Sequence, residues 1–325
     1  MAYLGVSFVK FEGHLSTSPD RLAIDAMKTI VPLAVLFILG PFLYSDEYLF
    51  ALLAVLITAT NSLNIVYGFT GYLPFGFAVF IAFGAYTSAI SINLLHFSLM
   101  ESVLFGGFSS VVLSLLFTPL LKLNGAYFAI ASLAAFEAIF YIFENGALTK
   151  ITGGPYGISI NVAYTPQLDY IIVTAIAIVS SLVILLIMRT NFGLALRAIK
   201  DERYSAEING INTLKFRTYA WVISSFLTGL AGAMFGIYLG FFYPSGVFDL
   251  TEFSVLVIIF LIFGGKGTYI GPIFGSVLLF FVYQYLINFF PSYYLLVFGL
   301  LIIIVILFLP DGIIGVISRK ISGVF

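Results

Sequence analysis

Ten apolar runs, each bounded by polar or turn-forming residues, organise the chain: roughly 27–44, 48–66, 72–92, 101–121, 126–144, 168–188, 217–242, 251–264, 268–290 and 292–309. The apolar positions do not alternate, and Leu300 to Leu309 is apolar without a break. A membrane-crossing strand needs only about ten residues of alternating character, whereas a helix needs roughly 17–25 apolar residues to traverse about 30 Å of hydrocarbon. The runs therefore predict helices, and the class is an all-α polytopic membrane protein with about ten transmembrane helices. The run at 251–264 is short for a full crossing and reads as half of a broken helix.

Composition supports lipid as the solvent. Hydrophobic residues make up 61% of the 325 positions and charged residues 9%, against about a quarter charged in soluble chains. Cysteine is absent, which excludes disulfides and thiolate metal sites. The two histidines, His14 and His96, lie on different segments, so no metal site is expected. The basic residues are too few to track a phosphate backbone, and no nucleic-acid partner is expected. Residues 1–26 mix Lys10 and Arg21 with Glu12, Asp20 and Asp25, unlike a secretory signal. The expected organisation is a cytoplasmic segment 1–26, a membrane domain 27–309 and a cytoplasmic tail 310–325.

Charge fixes the expected orientation. Cytoplasmic loops of membrane proteins collect lysine and arginine. With both termini inside, Lys10, Arg21, Lys28, Lys122, Arg189, Arg197, Lys200, Arg203, Lys215, Arg217, Lys266, Arg319 and Lys320 all fall on the cytoplasmic side, leaving Lys150 outside. Asp46, Glu47, Glu144, Asp169, Asp249 and Glu252 fall outside. The expected location is the cell membrane, multi-pass, with both termini cytoplasmic.

Three features carry candidate chemistry. The loop 189–217 spaces Leu196, Ile199, Tyr204 and Ile208 near the helical period among charges, with Gly210 as a stop, and reads as one or two short helices or a solvated connector. Thr58, Thr60, Asn61, Ser62 and Asn64 cluster before Gly68, Gly71, Pro74 and Gly76, which predicts either a broken helix with backbone groups facing a substrate or close helix packing. A second interruption at Gly264, Gly265, Gly267, Gly271, Pro272 and Gly275 suggests an internal pseudo-repeat. Its Gly-Lys-Gly-Thr string lacks phosphate-loop spacing, so ATP is not expected to bind this chain. Glu137, about 16 Å into its run at 1.5 Å per residue, is a candidate for contacting substrate or tying helices.

An ordered set of motifs gives a resemblance. Gly68-Phe69-Thr70-Gly71-Tyr72, Gly84-Ala85-Tyr86, Gly125-Ala126-Tyr127-Phe128, Thr152-Gly153-Gly154-Pro155-Tyr156-Gly157, Gly193-Leu194-Ala195-Leu196-Arg197-Ala198-Ile199, Ala206-Glu207-Ile208-Asn209-Gly210, Phe263-Gly264-Gly265-Lys266-Gly267 and Leu309-Pro310-Asp311-Gly312 are similar to branched-chain amino acid ABC transporter permeases. Pro74 and Phe77 depart from residues that many of those permeases carry, which leaves the substrate open. The resemblance implies an importer permease fold and a permease subunit working with a second permease, two ATPase subunits that hold ATP and Mg, and an extracytoplasmic binding protein, all in a lipid bilayer. The chain itself is expected to carry no cofactor and no catalysis. Implied pathway residues are Asn61, Asn64, Gly71, Tyr72, Gly76, Tyr86 and Glu137. Arg197, Asp201, Glu202, Ala206, Glu207 and Gly210 would couple to the ATPase, and Thr152, Gly153, Gly154 and Tyr156 would face the binding protein. A stand-alone secondary transporter and an ABC permease for urea or short amides are the alternatives.

Overall fold

In the computed structural model, which describes residues 19–44, 46–160, 166–308 and 312–314, every apolar run contains a helix. In chain order they are α1 Pro19–Tyr44, α2 Glu47–Leu63, α3 Val79–Leu95, α4 Leu99–Leu116, α5 Ala126–Glu144, α6 Pro166–Met188, α7 Asn191–Asp201, α8 Arg203–Ile208, α9 Thr213–Leu239, α10 Leu256–Gly264, α11 Gly271–Phe289 and α12 Tyr294–Phe308. The two short helices α7 and α8 occupy the 189–217 loop. Seven helical stretches are long and apolar enough to cross a membrane, and Thr29–Phe42, Val79–Leu95 and Tyr294–Ile304 are shorter apolar helices. This is an all-α polytopic membrane protein. Among the described residues the strands are one antiparallel pair, Ile158–Ser159 against Phe241–Phe242.

Helix limits follow local chemistry. The Asp46 carboxylate accepts from the Leu49 N–H at 3.1 Å and starts α2, and Asn212 does the same for α9 through the Lys215 N–H at 3.0 Å. The second cap starts α9 at Thr213 rather than 217, so Lys215 and Arg217 lie in its first turns. The chain after α4 tightens into a 3₁₀ turn, Thr118–Lys122, at Pro119, which stops that helix short of the expected residue 121. Helix α1 begins eight residues before the expected boundary at 27 and contains Pro32 and Pro41. Pro41 has no N–H to give the Phe37 carbonyl four residues earlier. The Tyr170 hydroxyl donates to that carbonyl at 2.7 Å and ties α1 to α6.

The centre is built by contact between small residues. A Cβ on Gly232 of α9 would stand 2.1 Å from the Ile81 carbonyl oxygen, and one on Gly84 of α3 would stand 2.3 Å from that of Gly229. In lipid, association gains little from hydrophobicity and relies on such close van der Waals contact. Helix α9 packs on α3 and α4, while α2, buried from Leu49 onward, packs on α6, α9, α10 and α11. Helix α2 leads into irregular chain at 71–78, whereas α9 is followed by the short strand Phe241–Phe242 and a helical turn, Pro244–Val247, before the next apolar helix.

That packing corrects the expected second break. The Gly264–Gly275 stretch is a tight turn between α10 and α11, with Gly265 at φ +122° and Gly267 at φ +78°, followed by antiparallel contact in which a Cβ on Gly264 would strike the Gly271 carbonyl. The run 251–264 is also no half-helix: a π-turn, Thr251–Val255, leads directly into α10.

Connections gather at two ends. Gly68–Tyr72, Asn124, the α7–α8 loop and the Gly265–Thr268 turn meet at one end. Gly312 packs there too, over Gly265. Asn93, Ser159 and the chain at 240–242 meet at the other. The first is the basic end, carrying Arg197, Lys200, Arg203 and Lys266. Residues 1–18, 309–311 and 315–325, which hold Lys10, Arg319 and Lys320, lie outside the described residues.

Candidate functional site

The site begins where α2 fails to continue. Its end widens into a π-turn, Asn64–Gly68, and Gly71 adopts φ +78°, a left-handed conformation that glycine reaches without the steric cost of a Cβ. Helix α3 starts only at Val79, not near residue 72, because Gly71 and Pro74 interrupt the helical ladder. The intervening backbone runs beside α5. The Gly76 N–H donates to Ser132 Oγ at 3.4 Å, and a Cβ on Gly76 would lie 2.0 Å from the Ser132 carbonyl oxygen. The Ala78 N–H donates to Ser254 Oγ at 2.8 Å. Ser132 lies six residues into α5, about 9 Å along its axis at 1.5 Å per residue. Irregular backbone at such depth is stable only where protein or a polar route satisfies it.

Aromatic side chains bracket this segment. Toward the basic end, Tyr72 meets Phe128, Phe128 meets Trp221, and Trp221 meets Phe80 at 5.0 Å between ring centroids. Toward the other end, Phe136 and Phe143 of α5 meet Phe248, and Tyr86 meets Phe143 at 4.6 Å and Phe242 at 5.0 Å. The buried Tyr86 hydroxyl has no hydrogen-bond partner among the described residues. Glu137 follows Phe136 on α5, is half-buried and makes no hydrogen bond or ion pair among the described residues. Among the described residues it therefore ties no helices together.

Two of the predicted pathway residues hold helices together. Asn61 donates to Ser180 Oγ at 3.0 Å and to Ser181 Oγ at 2.9 Å, joining α2 to α6. Asn64 donates to the Thr268 carbonyl at 2.8 Å and accepts from the Gly267 N–H at 2.8 Å. Both side chains are completely buried.

The loop residues form a compact unit on the basic end. Leu196 and Ile199 are buried beneath α7, and Arg197 stacks over Phe69 at 5.5 Å. Glu202 caps α8 through the Tyr204 N–H, and Asp201 is exposed beside it. Ala206 is buried, and its carbonyl accepts from the Ile211 N–H as Gly210 turns at φ +84°. Glu207 accepts from Arg203 Nε at 3.0 Å and Thr213 Oγ1 at 2.6 Å. The Thr213 hydroxyl and the Arg203 guanidinium hold its carboxyl below the usual glutamate value. Arg203 also donates to Asn124 Oδ1 at 2.7 Å, which accepts from the Tyr72 hydroxyl at 3.0 Å. Tyr204 and Ile208 project outward, 73% and 86% exposed.

At the opposite end Thr152 is buried, donating to the Phe143 and Leu148 carbonyls and accepting from the Gly154 N–H. Gly153 and Gly154 turn at φ +76° and +53°, and Tyr156 is 79% exposed. Ser132, Ser254 and Asn124 were not singled out from sequence, and Lys200 was read only as an orienting charge. The first two carry a faint signal, as serines within apolar runs; the others depend on chain crossings.

The family model for the branched-chain amino acid transport system permease component matches residues 46–306. Among curated proteins, the chain is similar to the high-affinity branched-chain amino acid transport system permease protein LivM of Salmonella typhimurium, 28% identical over 77% of this chain and 65% of the relative. The LivM protein of Escherichia coli is 27% identical over 87% of this chain and 73% of the relative. A protein named a probable branched-chain amino acid transport permease, LivM of Methanocaldococcus jannaschii, is 26% identical over 63% of this chain. The matched region spans just under two thirds of the Salmonella relative's length. No solved structure gives a significant match. With a bundle of apolar helices, broken at 71–78, and a family match running across all but its ends, this chain belongs to the branched-chain amino acid transport permease component family.

Proposed function

We propose that this chain is a membrane subunit of an ATP-driven importer for branched-chain amino acids, with its basic end in the cytoplasm. The observation that carries the reading is the α7–α8 unit. It is anchored to the broken end of α2 through Lys200 and to Asn124 through Arg203, yet presents Tyr204 and Ile208 to solvent. Exposed apolar side chains on a well-seated helix pair suit a protein partner, here an ATPase subunit holding ATP and Mg. Two such subunits, a second permease and an extracytoplasmic binding protein complete the assembly, the last facing the 152–156 turn. The irregular 71–78 backbone between the aromatic clusters is the translocation route. Gly71, Tyr72, Gly76, Tyr86 and Glu137 border it, while Asn61 and Asn64 support its walls. The chain hydrolyses no ATP itself.

The test is reconstitution in liposomes. Uptake of leucine, isoleucine or valine is expected only with the ATPase subunits, ATP and binding protein present. Uptake by this chain alone under an ion gradient would replace the proposal with a secondary transporter in which Glu137 serves the coupling ion. Competition by urea or short amides, with none by branched-chain amino acids, would redirect the substrate class.

A further inference from the structure

Helix α2 ends in a π-turn, and the chain leaves at Gly71, so no following helical N–H reaches the Gly68 carbonyl. Such terminal carbonyls need an outside donor. Lys200, the penultimate residue of α7, donates its Nζ to this oxygen at 2.8 Å. Its stem lies along Gly71, whose added Cβ would be 3.6 Å from Lys200 Cγ. The same ammonium would be 3.2 Å from a Cβ on Gly267, and that Cβ would be 2.9 Å from the Gly68 carbonyl oxygen. One lysine thus sits where α7, the broken end of α2 and the α10–α11 turn converge. Asn64 binds the Gly267 N–H and the Thr268 carbonyl of that turn.

The lysine is not there for cheap surface charge. Burial, with Lys266 nearby, pushes its ammonium below the ordinary lysine value. A cation at a helix C-terminus complements the carbonyl dipoles, and this one joins the loop helix to Gly68, three residues before the irregular segment begins. We infer that Lys200 is a positioning residue that transmits movement of the α7–α8 unit to the 71–78 segment and, through the Gly267 turn, to the other half of the bundle. The inference rests on the proposed importer function.

The experiment compares wild type, Lys200→Met and Lys200→Arg in the reconstituted complex. Methionine keeps the stem and removes the donor; arginine keeps charge and donors. The expected result for Lys200→Met is a fall of about fivefold in substrate imported per ATP hydrolysed, the size of a typical coupling perturbation, beyond the modest drop in thermal midpoint that the unpaired Gly68 carbonyl brings, with recovery in Lys200→Arg. An unchanged ratio overturns the inference. So does a lowered midpoint with uptake and hydrolysis falling in proportion, which marks a structural role alone. Hydrogen exchange on the full chain in nanodiscs separates this from the functional proposal. If wild type imports nothing with its ATPases, the importer reading fails. Faster exchange across 68–73 in Lys200→Met then still supports the lysine's hold on that segment, and equal exchange overturns it.

Discussion

Asn64 and Gly267 are 203 residues apart in the chain, and the Asn64 carboxamide oxygen accepts the Gly267 N–H at 2.8 Å while its amide nitrogen donates to the neighbouring Thr268 carbonyl at 2.8 Å. Asn64 stands at the broken end of α2, and its one side chain satisfies a donor and an acceptor of the α10–α11 turn together. Replacing Asn64 by leucine strands both groups in a buried site, at about 1–3 kcal/mol each. We expect a clear drop in thermal midpoint in detergent or nanodiscs. Asn64→Asp keeps the acceptor for Gly267 but turns an oxygen toward the Thr268 carbonyl, so it should also destabilise.

Tyr170 repairs the carbonyl that Pro41 leaves open. Tyr170→Phe retains the ring and removes the donor to Phe37, so the unsatisfied carbonyl should cost roughly 1–3 kcal/mol. Restoring the N–H with Pro41→Ala should recover much of that loss. Stability of the single and double variants measures the coupling.

Close helix approach makes a glycine prediction with its own control. Gly232→Val pushes a side chain into the Ile81 backbone, where a Cβ alone would stand 2.1 Å away, and should lower folded yield through overpacking of about 1–3 kcal/mol or more. Gly146→Ala meets nothing within 4 Å and should behave as wild type in size-exclusion chromatography and thermal melts.

The docking face can be separated from the fold. Tyr204→Ala with Ile208→Asp changes exposed side chains, so the melting midpoint should stay near wild type, while ATP-driven uptake should fall by an order of magnitude or so, as hot-spot truncation at an interface does. A bulky residue at Gly210 adds strain at φ +84° and should disturb coupling by misplacing the same face. Retained uptake in all of these variants would reduce α8 to a connector.

Glu207 makes α8 sensitive to acid. Its carboxyl is held below the ordinary value of 4.5 by Thr213 and Arg203, so its contribution to holding the loop is fully present above that value. It is lost as pH falls through the depressed folded-state value. Proteolysis or hydrogen exchange across 203–213 should be flat from neutral pH to about 5, the upper edge of carboxylate titration, and should rise only in stronger acid. Glu207→Gln should remove that acid step.

Much of this protein is determined by its sequence alone. Uninterrupted apolar runs such as Leu300–Leu309 specify membrane helices, because only internally hydrogen-bonded backbone is stable in hydrocarbon. Gly71 and Pro74 specify a stop in the helical ladder, and the spacing of Leu196 and Ile199 specifies the buried side of α7, whereas Tyr204 and Ile208, apolar at the same period, are exposed on α8. What only the tertiary structure decided is which polar groups serve a route and which serve the walls. Asn61 and Asn64 look alike in sequence, as costly amides in lipid, yet both are taken up by partners more than a hundred residues away. Gly264–Gly275 looks like a second break, but neighbouring backbones make it a turn. Lys200 reads as one more orienting charge until α2 ends beside it with an unclaimed carbonyl. Local pattern sets which backbone groups must find partners; the crossing of distant helices sets who those partners are.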